Sequence, residues 1–169
     1  MKDCIEVKCV SASEVRHAYC LIKFYDCWFQ SFSIRLDKVA GLVPMSPSLR
    51  KDLWILSLKY SSRVFVEGFS LAKRCTNEGR ALMQLDFRQF VLKMEKICDI
   101  RPLPFQDFVS TYIKAFYIPE SELETWVKGH PEYTASQLVA LVNTVAYSNS
   151  KTRQKLNSLV SDLSVRIRR

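Results

Sequence analysis

Glycine and proline are scarce in this chain of 169 residues, which contains four glycines and six prolines. Together they reach about half of the roughly 12% expected from average usage. Because tight turns depend on these two residues, a β-sandwich or β-barrel of many short strands is excluded. Leucine, isoleucine, valine and phenylalanine make up 31% of the chain, well above the roughly 20% at which disorder becomes the better interpretation. The composition favours a folded domain with few, long elements.

The residues that enzymes and metal sites require are also few. The chain has two histidines, His17 and His130, and its six cysteines form no C-x-x-C pair. Four glycines cannot build a loop that cradles phosphate, and no G-x-S-x-G nucleophile turn occurs. His17, Cys20 and Cys27 have ligand-like spacing, but a structural zinc site needs four ligands. We therefore expect no enzymatic activity, no cofactor and no metal.

The sequence also shows no pattern typical of a targeting or membrane-spanning segment. The segment Met1–Glu6 lacks the apolar core of a signal peptide, and no apolar run approaches the roughly 18 residues that span a bilayer. Cys20 and Cys98 lie within apolar runs, where a free cysteine behaves as a small hydrophobe. The prediction is a reduced, cytosolic protein.

Apolar residues recur at intervals of three and four, which predicts helices. A first long helix is predicted from about Ser13 to Lys38. A second begins at Ser46-Pro47, where a serine N-cap precedes proline at the first helical position, and runs toward Cys75. Residues 76–79 are either a break or are crossed by the helix, and a third apolar stripe follows over residues 81–97. The second helix is interpreted as carrying one apolar stripe: Leu49, Leu53, Leu56, Tyr60, Val64 and Phe65.

The pair Pro102 and Pro104 marks a linker, because two prolines in three residues cannot lie inside a helix. Shorter helices are predicted around residues 108–117 and 123–127, then after a capping box at Thr134 and Gln137, and last after a cap at residue 149 or 150. The predicted fold is an all-α, elongated bundle of about six to eight helices. Its long-helix part, residues 1–101, and its short-helix part, residues 102–169, are expected to pack as one continuous domain.

The formal charge of +8 is concentrated toward the end of the sequence. Residues 149–169 contain six basic residues and one acidic residue, so this segment carries +5. Such a segment is typical of a solvated helix face, and also of a patch that attracts an acidic partner, lipid or nucleic acid. A basic helical module that binds nucleic acid or anionic lipid is the alternative function. Nucleic acid itself is not expected, because most aromatic residues fall on the apolar stripes rather than among the cations.

Aromatic residues are also candidates for contacts with a partner protein, since they are enriched at interface cores. Core packing remains the favoured interpretation for each one singly. The candidates are Trp28, Trp54, Trp126, Phe116 and Tyr117.

From about Arg63 onward the chain resembles the C-terminal region of the syndetin family. The matching stretches follow in order without large gaps: VEGF at 66–69, KRCTNEGRALMQLD at 73–86, DIRP at 99–102, TYIKA at 111–115, QLVALVN at 137–143 and RQKL at 153–156. Members of this family are subunits of the endosome-associated recycling protein (EARP) complex, a vesicle-tethering assembly built from stacked helical rods. The resemblance implies that this chain is the C-terminal fragment of a longer, non-enzymatic subunit.

The resemblance also implies a role, a location and partners. The expected role is that of an interaction module in endocytic recycling and in endosome-to-Golgi or dense-core vesicle trafficking, peripheral on recycling endosomes or the trans-Golgi network. The expected partners are other tethering-complex subunits, SNARE proteins and small GTPases, with weak contact to anionic membrane. The family match near residues 73–80 and the charge of the tail together predict a partner or lipid surface: Lys73, Arg74, Arg80, Lys151, Arg153, Lys155 and Arg166.

Overall fold

The computed structural model describes residues 29–72 and 75–167, with side chains described as far as residue 163. Within these ranges the chain forms seven α-helices and no strand. Helix α1 covers residues 29–42, and its predicted continuation upstream lies outside the described residues. The predicted all-α helical bundle is confirmed. The other helices are α2 (Pro47–Ser70), α3 (Asn77–Cys98), α4 (Gln106–Ala115), α5 (Glu120–Gly129), α6 (Ala135–Val145) and α7 (Ser150–Ile167).

Three helix starts are fixed by the caps that the sequence predicts. The Ser46 hydroxyl accepts the Leu49 backbone N–H at 3.2 Å, and Pro47 occupies the first turn of α2. At α6 the capping box is complete, with the Thr134 hydroxyl and the Gln137 side chain each accepting the other residue's backbone N–H. The side chain of Asn149 accepts the N–H of residue 152 at the start of α7. These bonds satisfy backbone donors that a helix N-terminus otherwise leaves without partners.

The segment between α2 and α3 and the proline linker show where helices stop. Helix α2 ends at Ser70, short of Cys75, and Thr76 is the N-cap of α3, accepting the Gly79 N–H at 3.1 Å. Residues 76–79 therefore begin a helix. Helix α3 ends where Asp99 adopts a left-handed backbone with φ of 53°. In the linker that follows, Leu103 is 3% exposed, so the linker is anchored to the core.

Aromatic rings fill the space between α1, α2 and α3. Trp54 of α2 stacks on Phe29 of α1 at 6.1 Å between ring centroids. Phe65 of α2 lies 5.5 Å from Phe87 and 4.7 Å from Phe90, both on α3. All five side chains are buried. Such ring pairs add roughly 0.5–1.5 kcal/mol each to the stabilisation from buried area.

A second group of rings joins α4, α5 and the loop before α6. The Tyr133 ring lies 5.2 Å from the Tyr112 ring and 5.4 Å from the Trp126 ring. Its hydroxyl donates to the Phe108 carbonyl oxygen at 2.7 Å. Because both tyrosine hydroxyls donate to backbone carbonyls, their polar ends are satisfied inside the core. The aliphatic side chains buried in α5, α6 and α7 are Leu123, Val127, Leu138, Leu141, Val142, Leu156 and Val160.

Helix α2 has two apolar faces rather than one. Trp54, Leu58 and Phe65 are at most 2% exposed and form the inner face. The prediction of a single stripe that includes Phe65 is therefore wrong, because Phe65 stands seven residues after Leu58 and shares its side of the helix. On the opposite side Leu53 is partly buried against the core. The apolar residues that are at least 50% exposed there define the outer face of α2, with the last of them at its C-cap: Leu49, Leu56, Tyr60, Val64 and Leu71.

Hydrogen bonds connect α2 to helices on the far side of the linker. The Gln137 side-chain amide donates to the Glu67 carboxylate at 3.1 Å, and the Tyr112 hydroxyl donates to the Gln137 carbonyl oxygen at 2.9 Å. The Thr144 hydroxyl lies 2.9 Å from the Ala72 carbonyl oxygen. Helix α6 is thus held against α2 at Glu67 and against the segment that follows α2 at Ala72. The proposed division at residues 101 and 102 stays a prediction.

Candidate interaction surface

Arg80 lies in the first turn of α3, and its guanidinium is engaged within the chain. It sits 5.2 Å from the centroid of the Tyr117 ring, and its Nη2 donates to the Cys75 carbonyl oxygen at 3.4 Å. Its Nε is buried without a hydrogen-bond partner among the described residues. A guanidinium over an aromatic face is a favourable contact. Arg80 therefore supports packing between the start of α3 and the end of α4.

Lys155 is paired across two helices with a carboxylate of α5. Its Nζ lies 2.8 Å from one oxygen of Glu124, and Lys128 Nζ lies 2.8 Å from the other. Hydrogen bonds from Lys128 and Lys155, together with their charges, lower the pKa of Glu124 to about 2. The carboxylate therefore offsets one of these two cations, and the field that Lys155 presents to a ligand is weakened.

The other predicted cations of α7 differ in exposure. Arg153 is half-buried and donates to the Tyr147 carbonyl oxygen at 3.2 Å, whereas Lys151 is exposed. Arg166 lies in α7, but its side chain is outside the described residues, as are Lys73 and Arg74. The structure thus places Lys151, Arg153 and Lys155 on one helix and Arg80 on another. The predicted partner or lipid surface stays a prediction.

A groove of about 260 Å³ lies between α3 and α4, outside the predicted surface. Phe87, Val91 and Ile113 supply its apolar side chains, and the cations Arg88 and Lys114 line it from the two helices. Sequence reasoning missed this groove because the two cations are far apart in the chain. Only the packing of α4 on α3 brings them to the same groove.

A second groove, of about 390 Å³, lies between the start of α2 and the end of α3. Arg50, Lys51 and Arg101 line it together with Asp99. Arg50 also forms an ion pair with Asp37 of α1, so this cation is already used inside the fold.

The aromatic residues predicted as candidates for partner contacts differ in how far they are exposed. Trp54 and Phe116 are each 2% exposed and belong to the core. Tyr117 is 47% exposed and carries Arg80 on its face. Trp126 is partly buried and stacks on His130 at 4.3 Å between ring centroids. Trp28 lies outside the described residues.

His130 and several other described titratable groups contact the backbone or neighbouring side chains of the bundle. His130 Nδ1 lies 2.8 Å from the Trp126 carbonyl oxygen, while His17, with Cys20 and Cys27, falls outside the described part of the chain. Burial raises the pKa of Tyr112 above its ordinary value, helped by the charge of Glu67.

Helix α3 carries two further groups with altered acidity. Burial raises the pKa of the Cys98 thiol, which donates to the Met94 carbonyl oxygen at 2.9 Å, and also the pKa of Asp86. Across residues 29–72 and 75–163, no three His, Cys, Asp or Glu side chains converge on a position that could hold a metal ion. In the described helices, none has the length and hydropathy needed to cross a membrane.

Comparison with known proteins gives the same family from two directions. The family model described as "Syndetin, C-terminal" matches residues 20–161. The chain belongs to this family. Curated syndetins of Mus musculus, Gallus gallus and Rattus norvegicus are each 44% identical to it over 137 residues. The similarity to syndetin therefore extends upstream of Arg63, where the sequence resemblance begins.

The chain aligns with only a small part of these syndetins. The alignment takes in 80% of this chain and 14% of each relative's length. No solved structure matches the chain. The structural arguments about the function of this syndetin C-terminal region therefore rest on the helices α1 to α7.

Proposed function

We propose that the chain is a non-enzymatic interaction module at the C-terminal end of a vesicle-tethering subunit, acting in endocytic recycling and in endosome-to-Golgi or dense-core vesicle trafficking. The observation that carries this proposal is the syndetin C-terminal match over residues 20–161. The described side chains are consistent with it, because the buried polar groups of Tyr112 and Tyr133 bond to backbone carbonyls.

The proposed partners are the other subunits of the tethering complex, with SNARE proteins and small GTPases as further ligands. The proposed location is cytoplasmic, on the surface of recycling endosomes or the trans-Golgi network. The exposed apolar residues of α2 and the cation-lined groove between α3 and α4 support a role in protein contacts. Aromatic and arginine side chains are enriched at interface cores.

A chimera tests the proposal in cells that lack syndetin. Three proteins are compared: full-length mouse syndetin, the same protein without its matching C-terminal region, and a chimera in which that region is replaced by this chain. We expect the truncation to slow the return of an internalised receptor to the cell surface and the chimera to restore it. Normal recycling with the truncated protein would contradict the proposal, and so would a chimera that is expressed and folded but inactive.

Contact with anionic membrane is a separate part of the proposal and rests on Lys151, Arg153 and Lys155. Reversal of these three charges is expected to reduce flotation of the chain with vesicles that contain anionic lipid. Reversal of Arg88, Lys96 and Lys114, which are exposed on α3 and α4, changes the net charge equally and is the matched control. Equal flotation after the α7 reversal would reject the membrane contact. A salt-dependent shift of nucleic acid at physiological ionic strength would instead favour the alternative function.

A further inference from the structure

The turn between α1 and α2 carries the most exposed large apolar residue that the structure describes. Leu42, the last residue of α1, is 84% exposed, and Val43 after it is 59% exposed. Val39, one turn before, and Leu49, in the first turn of α2, are about half exposed. The chain has no charged residue from Val39 to Leu49, a segment called the apolar tip below. A group of exposed apolar residues of this kind marks a binding surface, whereas single ones need no explanation.

The backbone of the apolar tip has few donors that need water. Pro44 and Pro47 have no backbone N–H. The Val43 N–H donates to a carbonyl oxygen of the last turn of α1 at 2.9 Å, and the Leu49 N–H donates to the Ser46 hydroxyl at 3.2 Å. Four of the seven residues from Val43 to Leu49 therefore have no unpaired N–H. Because an unpaired backbone donor is costly to remove from water, this turn leaves water at a lower cost than an ordinary loop.

Two cations stand behind the apolar tip at a fixed level. Arg35, Lys38 and Leu42 are spaced by three and four residues, so they lie on one side of α1, and all three are exposed. At about 1.5 Å per residue, Lys38 stands roughly 6 Å and Arg35 roughly 10 Å behind Leu42 along the helix. Apolar side chains bound at a membrane surface are buried to a depth of roughly 5–10 Å. Burial of the tip to this depth would bring both cations to the level of the lipid headgroups.

The acids near the apolar tip do not cancel its cations. Asp37 is in an ion pair with Arg50, and none of Arg35, Lys38 and Lys51 forms an ion pair with another described residue. The charged residues within four positions of the tip, together with those of the groove beside α2, are five cations and three acids, a net charge of +2. They are Arg35, Lys38, Arg50, Lys51 and Arg101, and Asp37, Asp52 and Asp99.

We propose that the apolar tip inserts into the surface of an anionic lipid bilayer. Leu42 and Val43 would lie among the acyl chains, and Arg35 and Lys38 would lie beside the headgroup phosphates. An uncharged apolar end with a net positive charge behind it is complementary to such a surface, whereas two tips meeting end to end would bring like charges together. This inference deepens the proposed membrane contact, on which it rests for its biological setting, by naming a contact site other than α7.

Flotation of the full chain with two kinds of vesicle provides the first test. One kind is phosphatidylcholine alone, and the other contains phosphatidylcholine and phosphatidylserine at a ratio of about 7 to 3. We expect roughly tenfold stronger partitioning into the anionic vesicles. The double change Leu42→Gln and Val43→Gln is expected to weaken that partitioning at least about tenfold, because two apolar side chains are lost from the acyl region. Leu71→Gln with Leu85→Gln, at exposed residues on the C-cap of α2 and on α3, is the matched control and retains it.

An added tryptophan reports directly on the depth of the tip. Leu42→Trp is mixed with the anionic vesicles, with and without bromine atoms on the lipid acyl chains, which quench indole fluorescence on contact. The difference from wild type isolates the emission of the added indole from that of the three native tryptophans. We expect this emission to be quenched, and the emission added by Leu71→Trp to remain. Circular dichroism and thermal unfolding check that each variant is folded, which is expected because all the substituted positions are exposed.

Three results would overturn the inference. The first is equal partitioning of the wild type and the folded Leu42→Gln and Val43→Gln variant. The second is an indole at position 42 that brominated acyl chains do not quench. The third is a dimer without lipid that the same double variant dissociates, which would make a second copy the occupant. Reversal of the α7 charges leaves the tip intact, and the recycling assay does not measure partitioning, so a failure here is distinguishable from a failure of the proposed function.

Discussion

The contact between Gln137 and Glu67 offers the sharpest test of how α6 is held against α2. The Gln137 side chain is 5% exposed, completes the capping box of α6, and donates to the Glu67 carboxylate at 3.1 Å. The substitution Gln137→Glu keeps the cap, because glutamate also serves at this position of a capping box. It replaces an attractive contact with two facing carboxylates. The change therefore isolates the charge at this junction from the geometry of the helix start.

The expected loss of stability is about 1–2 kcal/mol at neutral pH. Two unit charges about 4 Å apart repel by roughly 4 kcal/mol at an effective dielectric constant near 20. Glu67 is exposed, so the carboxylates can separate and water screens them. A new acid in the first turn of α6 also gains roughly 0.3–1 kcal/mol from the helix dipole. For a chain of this size each kcal/mol lowers the melting temperature by about 2–4 °C.

Thermal unfolding at several pH values, with a rescue variant, decides whether charge is the cause. Facing carboxylates raise the pKa of the pair in the folded variant, so protons bind more readily there than in the unfolded chain. The difference from wild type should therefore shrink as the pH falls through the raised pKa of the folded variant and should be absent below about 4.3, the ordinary pKa of glutamate. Glu67→Gln in the variant should restore stability at neutral pH. A loss that persists in acid, or in the double variant, would refute the electrostatic explanation.

Three further predictions concern the core, alkaline stability and the α5–α7 ion pair. Leu58→Ala, at a side chain with no exposed area, should lower the free energy of unfolding measured in denaturant by about 2–5 kcal/mol. Leu56→Ala, on the outer face of the same helix, should change it by less than about 0.5 kcal/mol. Similar losses of stability in the two variants would contradict the assignment of two different faces to α2. Because burial raises the pKa of both Tyr112 and Tyr133 while the unfolded phenols ionise near pH 10, stability should fall above about pH 10 by up to roughly 1.4 kcal/mol per pH unit for each tyrosine, and Tyr112→Phe should remove the contribution of Tyr112 from that decline. Lys155→Ala should raise the pKa of Glu124 from about 2 toward its ordinary value, as followed by NMR titration of the carboxyl carbon, and an unchanged pKa would show that Lys128 alone is responsible.

Local features of this fold could be predicted from the sequence because they depend on neighbouring residues. The caps at Ser46, Thr134 and Asn149 follow from side chains that bond within three residues. The linker and the four helices after it follow from proline and from helical spacing. The syndetin resemblance was visible in the same way, as continuous matching stretches.

The surface could not be predicted as well, because it depends on which helices meet. The spacing of the apolar residues in α2 does not say which of its two faces lies against the core. The sequence pattern therefore places Phe65 with the exposed residues, whereas the structure buries it. The ion pair of Lys155 with Glu124 cannot be read from the spacing either, because the two residues are 31 positions apart in sequence and meet only in the fold; the predicted partner or lipid surface that includes Lys155 stays a prediction. The groove beside Arg88 and Lys114 arises in the same way, from the packing of α3 on α4.

The hydrogen bonds that Gln137 makes to α2 and that Thr144 makes to Ala72, just after α2, cross the proline linker, so the peptide chain is not the only connection between the two sides of the linker. Buried Leu103 holds the linker itself in place. A break in the backbone after Ile100 should then leave a molecule that stays together. Co-expressed as two separate polypeptides, residues 1–100 and 101–169 should copurify as a reconstituted split protein, and Glu67 and Gln137 would become contacts between two molecules.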